Sequence, residues 1–343
     1  MPYSVVDKPS KYFNTVLYTG DGNTARAVTG ASFQPDLVWI KERTGTYGHQ
    51  LHDRVRGASA GALFSNETGA EASVYPLTSF DTDGFTTGSS TQNRSGYNLV
   101  SWLWKANGAG SSNTDGSITT TVSANTTSGF SVFTYTGTGS NATLGHGLGV
   151  APKVVFIKCR SSDNDWRMYH ASLPSSDYVL YLNSSGAQDL NNTVYNGAPT
   201  STTIGIKTNT TNNGSGSTYV GYAFAEVKGF SKAFSYVGNG SSDGTFVHLG
   251  FRPAFVILKS SSSASGNWLI QDNKRLGYNA SNSELFANLS NAEGTYDRAD
   301  FLSNGFKARI NSGENNSSGV TYVGFAVAES PFVSSKGIPC TAR

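Results

Sequence analysis

The chain alternates short apolar runs with stretches of Gly, Ser, Thr and Asn, and the runs have the length of strands. "FSVFTYTG" is the plainest case: Phe130 and Val132 point one way while Phe133 and Tyr135 point the other, the period-two pattern of a β-strand. "FQPDLVWIKER" (residues 33–43) differs in being apolar on both faces. That predicts a fully buried strand, opened by a proline at a point where no ladder donor is needed and closed by a lysine reaching solvent. Two echoes follow, "VAPKVVFIKCR" (150–160) and "FRPAFVILKSS" (251–261).

The echo is part of a longer repeat. Upstream of each buried strand lies an aromatic lead strand followed by a GxG turn: "FNTVLYTGDGN", "FSVFTYTGTGS" and "FSKAFSYVGNGS". Tyr18, Tyr135 and Tyr236 align there, and the glycine pairs serve a turn with positive φ. Downstream, "LFSNETGAE", "LYLNSSGAQ" and "LFANLSNAE" correspond, and each copy closes on one more strand, "YNLVSWLWKA", "YVGYAFAEV" or "YVGFAVAES". In the latter two, small residues alternate with large ones, leaving one face against which a neighbouring layer packs closely. Landmarks recurring in one order three times mark a triplicated module.

The fold predicted is all-β, three tandem β-sandwich modules of jelly-roll, lectin-like type. Their spans are 1–107, 129–228 and 229–329, with a Gly/Ser/Thr-rich connector at 108–128 that could hold an added strand, and a C-terminal tail at 330–343. Copies two and three meet across only "VKG" and are expected to be tightly coupled, with copy one set apart by its connector.

Composition narrows the function classes. Charged residues make up 14% of the 343, and 25 basic against 23 acidic side chains leave +2 with no basic block, which argues against nucleic acid as a partner. No apolar stretch is long enough to span a bilayer, so membrane insertion is not expected. The N-terminal stretch "MPYSVVDKPSKYF" lacks the apolar core of a secretory signal, which predicts folding in a cytoplasm. Cys159 and Cys340 have neither disulfide-framework nor zinc spacing and are expected as free thiols.

Candidate chemistry concentrates just after the buried strand. Trp166 and Trp268 occupy corresponding places, with Tyr47 there in copy one; facing solvent they could stack on a sugar ring, and facing inward they are core residues repeated because the fold repeats. Four residues beyond the tryptophans stand His170 and Asp272, with His52 aligned to them in copy one, and His146 and His248 sit near strand starts. Their recurrence favours structural hydrogen bonding over catalysis. The acidic turns at 81–85 and 161–166 lack a full calcium ligand series. Glu71 and Glu293 align, but copy two carries Gln188, and a carboxylate replaceable by its amide is a poor glycosidase acid. No catalytic residue, metal site or cofactor is assigned.

Taken together, "YTGDGN", "FQPDLVWIKER", "LFSNETGAE", "FDTDGFTTG" and "GFSVFTYTGTGSNATLGHGLGVAPKVVFIK" resemble the lectin-like or uncharacterised repeated modules of tail-fibre and other virion structural proteins of tailed phages that infect marine bacteria. The resemblance spans about residues 11–329. It implies a non-enzymatic virion protein exposed on the particle, as tail-fibre or spike head or as capsid decoration, folded in the host cytoplasm. The partners implied are other virion proteins and host-surface glycans, and trimeric homo-oligomers are expected by analogy with phage fibres. A stand-alone carbohydrate-binding module and a tail-spike depolymerase are the alternatives.

Overall fold

The computed structural model describes residues 4–264, 266–275, 279, 283–331 and 338. Among these, antiparallel strands dominate, with one short helix at Thr210–Asn213 and two 3-10 turns. Cys340 and most of the predicted tail lie outside the described residues.

One strand order recurs in three sheets. In copy one the lead strand Phe13–Thr19 pairs with the closing strand Asn98–Trp104, which pairs with the buried strand Leu37–Glu42, followed outward by Gln50–Asp53 and Leu63–Phe64. Copy two repeats this with Phe130–Thr136, Thr218–Phe224, Val154–Cys159, Arg167–His170 and Tyr178–Tyr181. Copy three uses Ser231–Val237, Thr321–Pro331, Phe251–Ser260, Leu269–Asp272 and Ser283–Phe286. A second, smaller sheet belongs to each copy: three strands in copies one and three, and the pair Ala142–Gly145 with Thr203–Ile206 in copy two.

Burial explains why the middle strand is apolar on both faces. In copy one Val38 and Ile40 join Val28, Leu77 and Phe85 of the small sheet in a private cluster. Leu37 and Trp39, on the other face, join a core shared by all three copies. Phe156 and Ile257, at the position of Trp39, join the same shared core, while Val155 and Val256 turn to private ones. Each main sheet is therefore a filling between two apolar layers. The alternation in "FSVFTYTG" resolves the same way, with Phe130 and Val132 in the shared core and Phe133 and Tyr135 in the private one. The small residues of the closing strand serve the lead strand: a Cβ on Gly221 would fall 2.2 Å from the Phe133 ring, and one on Gly324 would fall 2.6 Å from Phe234.

The shared core centres on closing-strand aromatics. Trp104 lies 6.1 Å from Phe224, Phe224 lies 5.0 Å from Phe325, and Trp104 lies 5.4 Å from Phe255 (ring centroids). The residual cavity among Leu37, Trp104, Phe156, Phe224, Phe255 and Phe325 is only about 20 Å³ and has apolar walls, so a water there would lack polar partners.

Two expectations, on copy one and on the strand-end lysines, need correction. Copy one does not sit apart, because Phe13, Trp39, Leu51, Trp102 and Trp104 of its sheet belong to the shared core. The 108–128 connector holds the added strand as Thr120–Asn125 together with Ser111–Asn113, both extending the copy-two sheet, and Asn125 Nδ2 donates to the Ala106 carbonyl. The lysines ending the buried strands do not reach solvent. Lys41, Lys158 and Lys259 are 1%, 0% and 0% exposed, and their ammonium groups donate to backbone carbonyls, Lys41 to those of Glu42 and Gly45, Lys158 to those of Thr68 and Asn164, and Lys259 to that of Ser260.

The GxG turns have two separate causes. Gly20, Gly137 and Gly238 each lie so close to a neighbouring carbonyl that a Cβ would meet it at 2.0–2.4 Å, and Gly22, Gly139 and Gly240 hold φ of +84°, +73° and +69°. A buried asparagine clasps each turn. Asn93, Asn213 and Asn316 accept the N–H of the second glycine on their carbonyls, and their side chains accept the N–H between the two glycines.

Because one core serves all three sheets, Trp104→Ala is expected to cost about 3–5 kcal/mol and to lower a single cooperative transition. Calorimetry and urea unfolding check this. Two or three separate transitions, only one of them shifted, would contradict a shared core.

Candidate functional site

The register relocates the candidate residues. His170 lies opposite Val154 and Asp272 opposite Phe255, and at the same place in copy one, opposite Leu37, stands Asp53 rather than His52. By the same count the copy-one residue matching Trp166 and Trp268 is His49, not Tyr47. The rows to compare are thus His49, Trp166 and Trp268, and then Asp53, His170 and Asp272. All six point to the places where one copy meets the next.

At the junction of copy two with copy one, Trp166 Nε1 donates to the Phe64 carbonyl at 2.9 Å, and the Tyr222 hydroxyl donates to Asp53 Oδ2 at 2.8 Å. Arg160 bonds Glu71 at 2.5 Å, and Arg56 bridges Asp53 and Glu71. Copy one meets copy three in the same manner. Trp102 Nε1 donates to Asp272 Oδ2 at 2.9 Å, Arg43 bonds Glu293 at 2.7 Å, and Arg275 bridges Asp272 and Glu293. His49, in place of the indole, meets the Phe286 backbone without a hydrogen bond of standard geometry.

The third junction, copy three on copy two, keeps the geometry without the charges. Trp268 Nε1 donates to the Tyr181 carbonyl at 2.8 Å. Phe325 stands where Trp102 and Tyr222 provide donors, and the facing residue is His170 instead of an aspartate. The His170 Nδ1 accepts from the Ser172 N–H, which leaves Nε2 protonated to donate to the Gly324 carbonyl at 3.0 Å. Leu173 replaces the bridging arginine, and Gln188 and Ser261 replace the glutamate and its arginine. The backbone bond survives in all three: Glu71 to Arg160, Glu293 to Arg43, and Gln188 to Ser261, at 2.7–2.9 Å. Three equivalent junctions running two-to-one, one-to-three and three-to-two close a ring with pseudo-threefold symmetry.

This placement settles the tryptophans. Trp166 and Trp268 are 0% exposed and cannot stack on a sugar in solution, because each indole is wedged between copies. Tyr47 is 40% exposed, with the Arg94 guanidinium 5.4 Å from its ring; Arg94 also lies 3.7 Å over Tyr97. His52 is buried on the opposite face of its strand, beside Gln92. His146 is buried against the Thr200 carbonyl, and His248 is exposed. Asp81 accepts from Ser79 and Thr86, while Asp163 caps the Ala70 N–H across a junction. No group of three metal-ligating side chains occurs among the described residues.

Sequence reading missed the arginines three residues after Asp53 and Asp272 and the clasping asparagines. Both had a signal: "DRVR" against "DNKR", and "QNRSG", "NNGSG" and "NNSSG" in register with the GxG turns.

The arrangement defines an all-β protein whose recurrent polar residues join its own repeats. Residues 8–331 match the family described as a domain of unknown function (DUF7483), and the chain belongs to that family. No curated protein and no solved structure matches it.

Two outcomes follow. Glu71→Gln removes the carboxylate of Arg160 and one of the two held by Arg56, which keeps Asp53, and is expected to cost about 3 kcal/mol or more, whereas Gln188→Ala at the neutral junction costs about 1 kcal/mol or less; urea unfolding compares them, and equal costs would contradict the charge assignment. Burial pulls Lys41, Lys158 and Lys259 down to about 8 and His170 down to about 4. Unfolded lysines hold their protons to about pH 10.4 and histidine to about 6.5. The unfolded state therefore binds more protons between pH 4 and 6.5 and again from pH 8 to about 9, above which unfolded tyrosines ionise ahead of the buried ones such as Tyr18 and Tyr195 and act in the opposite sense; stability rises with pH in both windows. Thermal unfolding from pH 4 to 9 measures it, and a melting temperature that falls from pH 8 to 9 would contradict it.

Proposed function

We propose that the chain is a non-enzymatic structural protein on the surface of a phage particle, a tail-fibre or spike head or a capsid decoration, that contributes to adhesion to host glycans. In this reading its three tandem modules are sandwiches of jelly-roll, lectin-like type, folded in the host cytoplasm and seated against other virion proteins. The observation that carries the reading is the closed ring. Trp166, Trp268, Asp53, Asp272 and the arginines all join one copy to the next, and a head with a pseudo-threefold axis suits a threefold mount. One chain here supplies the three positions that analogy gives to three chains, so a single copy per mount is the stoichiometry proposed. Glu71 and Glu293 belong to the ring's ion pairs, which speaks against the depolymerase alternative. For adhesion the support is Tyr47, an exposed ring outside the junction row of His49, Trp166 and Trp268, with Arg94 and Tyr97 beside it.

Immunogold electron microscopy of purified particles tests location: label on tail or capsid is expected, and particles without the chain contradict the reading. On a glycan array, Tyr47→Ala is expected to weaken retention roughly fivefold, the order of about 1 kcal/mol for one aromatic contact. Unchanged retention would remove Tyr47 from the site.

A further inference from the structure

A groove of about 430 Å³ opens where copy two passes into copy three, lined among others by Glu226, Lys228, Ser231, Lys232, His248 and Leu249. Its volume lies in the roughly 300–1,000 Å³ range of small-molecule sites. Only 14% of the chain is charged, yet this lining gathers two lysines, a glutamate and a histidine. Lys232 Nζ donates to the His248 carbonyl at 2.9 Å, which occupies one of three ammonium donors. Beside the groove rather than in its lining, Phe246, 43% exposed, stands two residues before His248 on the same face of their strand, with ring centroids 6.4 Å apart.

The other two copies show what the scaffold needs at these positions. Lys232 pairs with Ala326 as Asn14 pairs with Leu103 and Ser131 with Ala223. His248 corresponds to Thr29 and Gly145, and Phe246 to Ala27 and Thr143. The link from lead strand to small sheet is made elsewhere by short neutral groups: Asn14 Nδ2 donates to the Gly30 carbonyl and Ser131 Oγ to that of His146. A cation, an imidazole and an exposed aromatic ring have thus replaced small uncharged residues at three adjoining positions of one copy, where the fold requires none of them.

We propose that this groove binds a carboxylated pyranose. The ammonium group of Lys232 takes the carboxylate, Glu226 and His248 meet ring hydroxyls, and Phe246, at the rim, lies against the apolar face of the sugar. The site stands on its own geometry and does not rest on a virion location, so absence of the chain from particles would leave it intact. Calorimetric titration of the intact chain with glucuronate, glucose, acetate and inorganic phosphate tests it. Glucuronate is expected to bind with a Kd of about 1 mM, the affinity a ligand of this size typically reaches, and the other three at least tenfold more weakly. Lys232→Ser and Phe246→Thr, which install the residues of copy two, each weaken glucuronate binding at least tenfold with the melting transition unchanged. No saturation by glucuronate at about twenty times that concentration, equal binding of glucose, acetate or phosphate, or unchanged affinity in either variant would overturn the proposal.

Discussion

The burial of each main sheet on both faces is the constraint from which the rest follows. A private small sheet covers one face, and the other carries Trp39, Phe156 and Ile257 with the closing-strand aromatics. Left alone, that second face would expose a large apolar patch. Three copies bring three such faces together, and the shared core closes with a residual cavity of about 20 Å³. Packing of this kind needs a closed set of sheets, so the repeat number and the ring have one physical origin.

Around that core the junctions divide the work of specification. Dispersion and apolar burial hold any two inner faces together, but they do not say which copy neighbours which. Two junctions answer with a buried Arg–Asp and Arg–Glu lattice, in which each carboxylate is matched by guanidinium donors. The third is neutral at every corresponding position, with His170, Leu173, Gln188 and Ser261. It joins the copies that the chain itself places side by side across Val227–Gly229. The exchanges are correlated: where the aspartate becomes histidine, the facing donor becomes Phe325, and where arginine becomes serine, the facing glutamate becomes glutamine. A lone charge in such a setting would be costly, so the residues change in sets.

Much of this was legible in the chain. The repeat, the all-β class and the buried strands follow from two-residue periodicity and from landmarks that recur in order, and the second GxG glycine from its conformational freedom. What escaped has a physical reason in each case. A lysine at the end of an apolar run reads as a strand reaching solvent, because burying an ammonium group needs carbonyls that only the folded loops bring, such as Thr68 for Lys158. Register slips of one or two residues in the variable loop put His52 in the place of Asp53 and Tyr47 in the place of His49, and in a strand a slip of one exchanges the two faces. Trp166 and Trp268 leave an outward reading open beside the inward one, since the groups that cover them belong to another copy, 102 and 87 residues away in sequence.

The ring is tested most directly through the indole N–H groups of Trp102, Trp166 and Trp268, one at each junction. In a closed ring each exchanges with solvent only when the whole molecule unfolds, so their hydrogen-exchange free energies, read by NMR on tryptophan-labelled protein, should agree with one another and with the global unfolding free energy. An indole that exchanges by local opening, at a rate insensitive to denaturant while the other two stay protected, would show that its junction is not closed and would contradict the account.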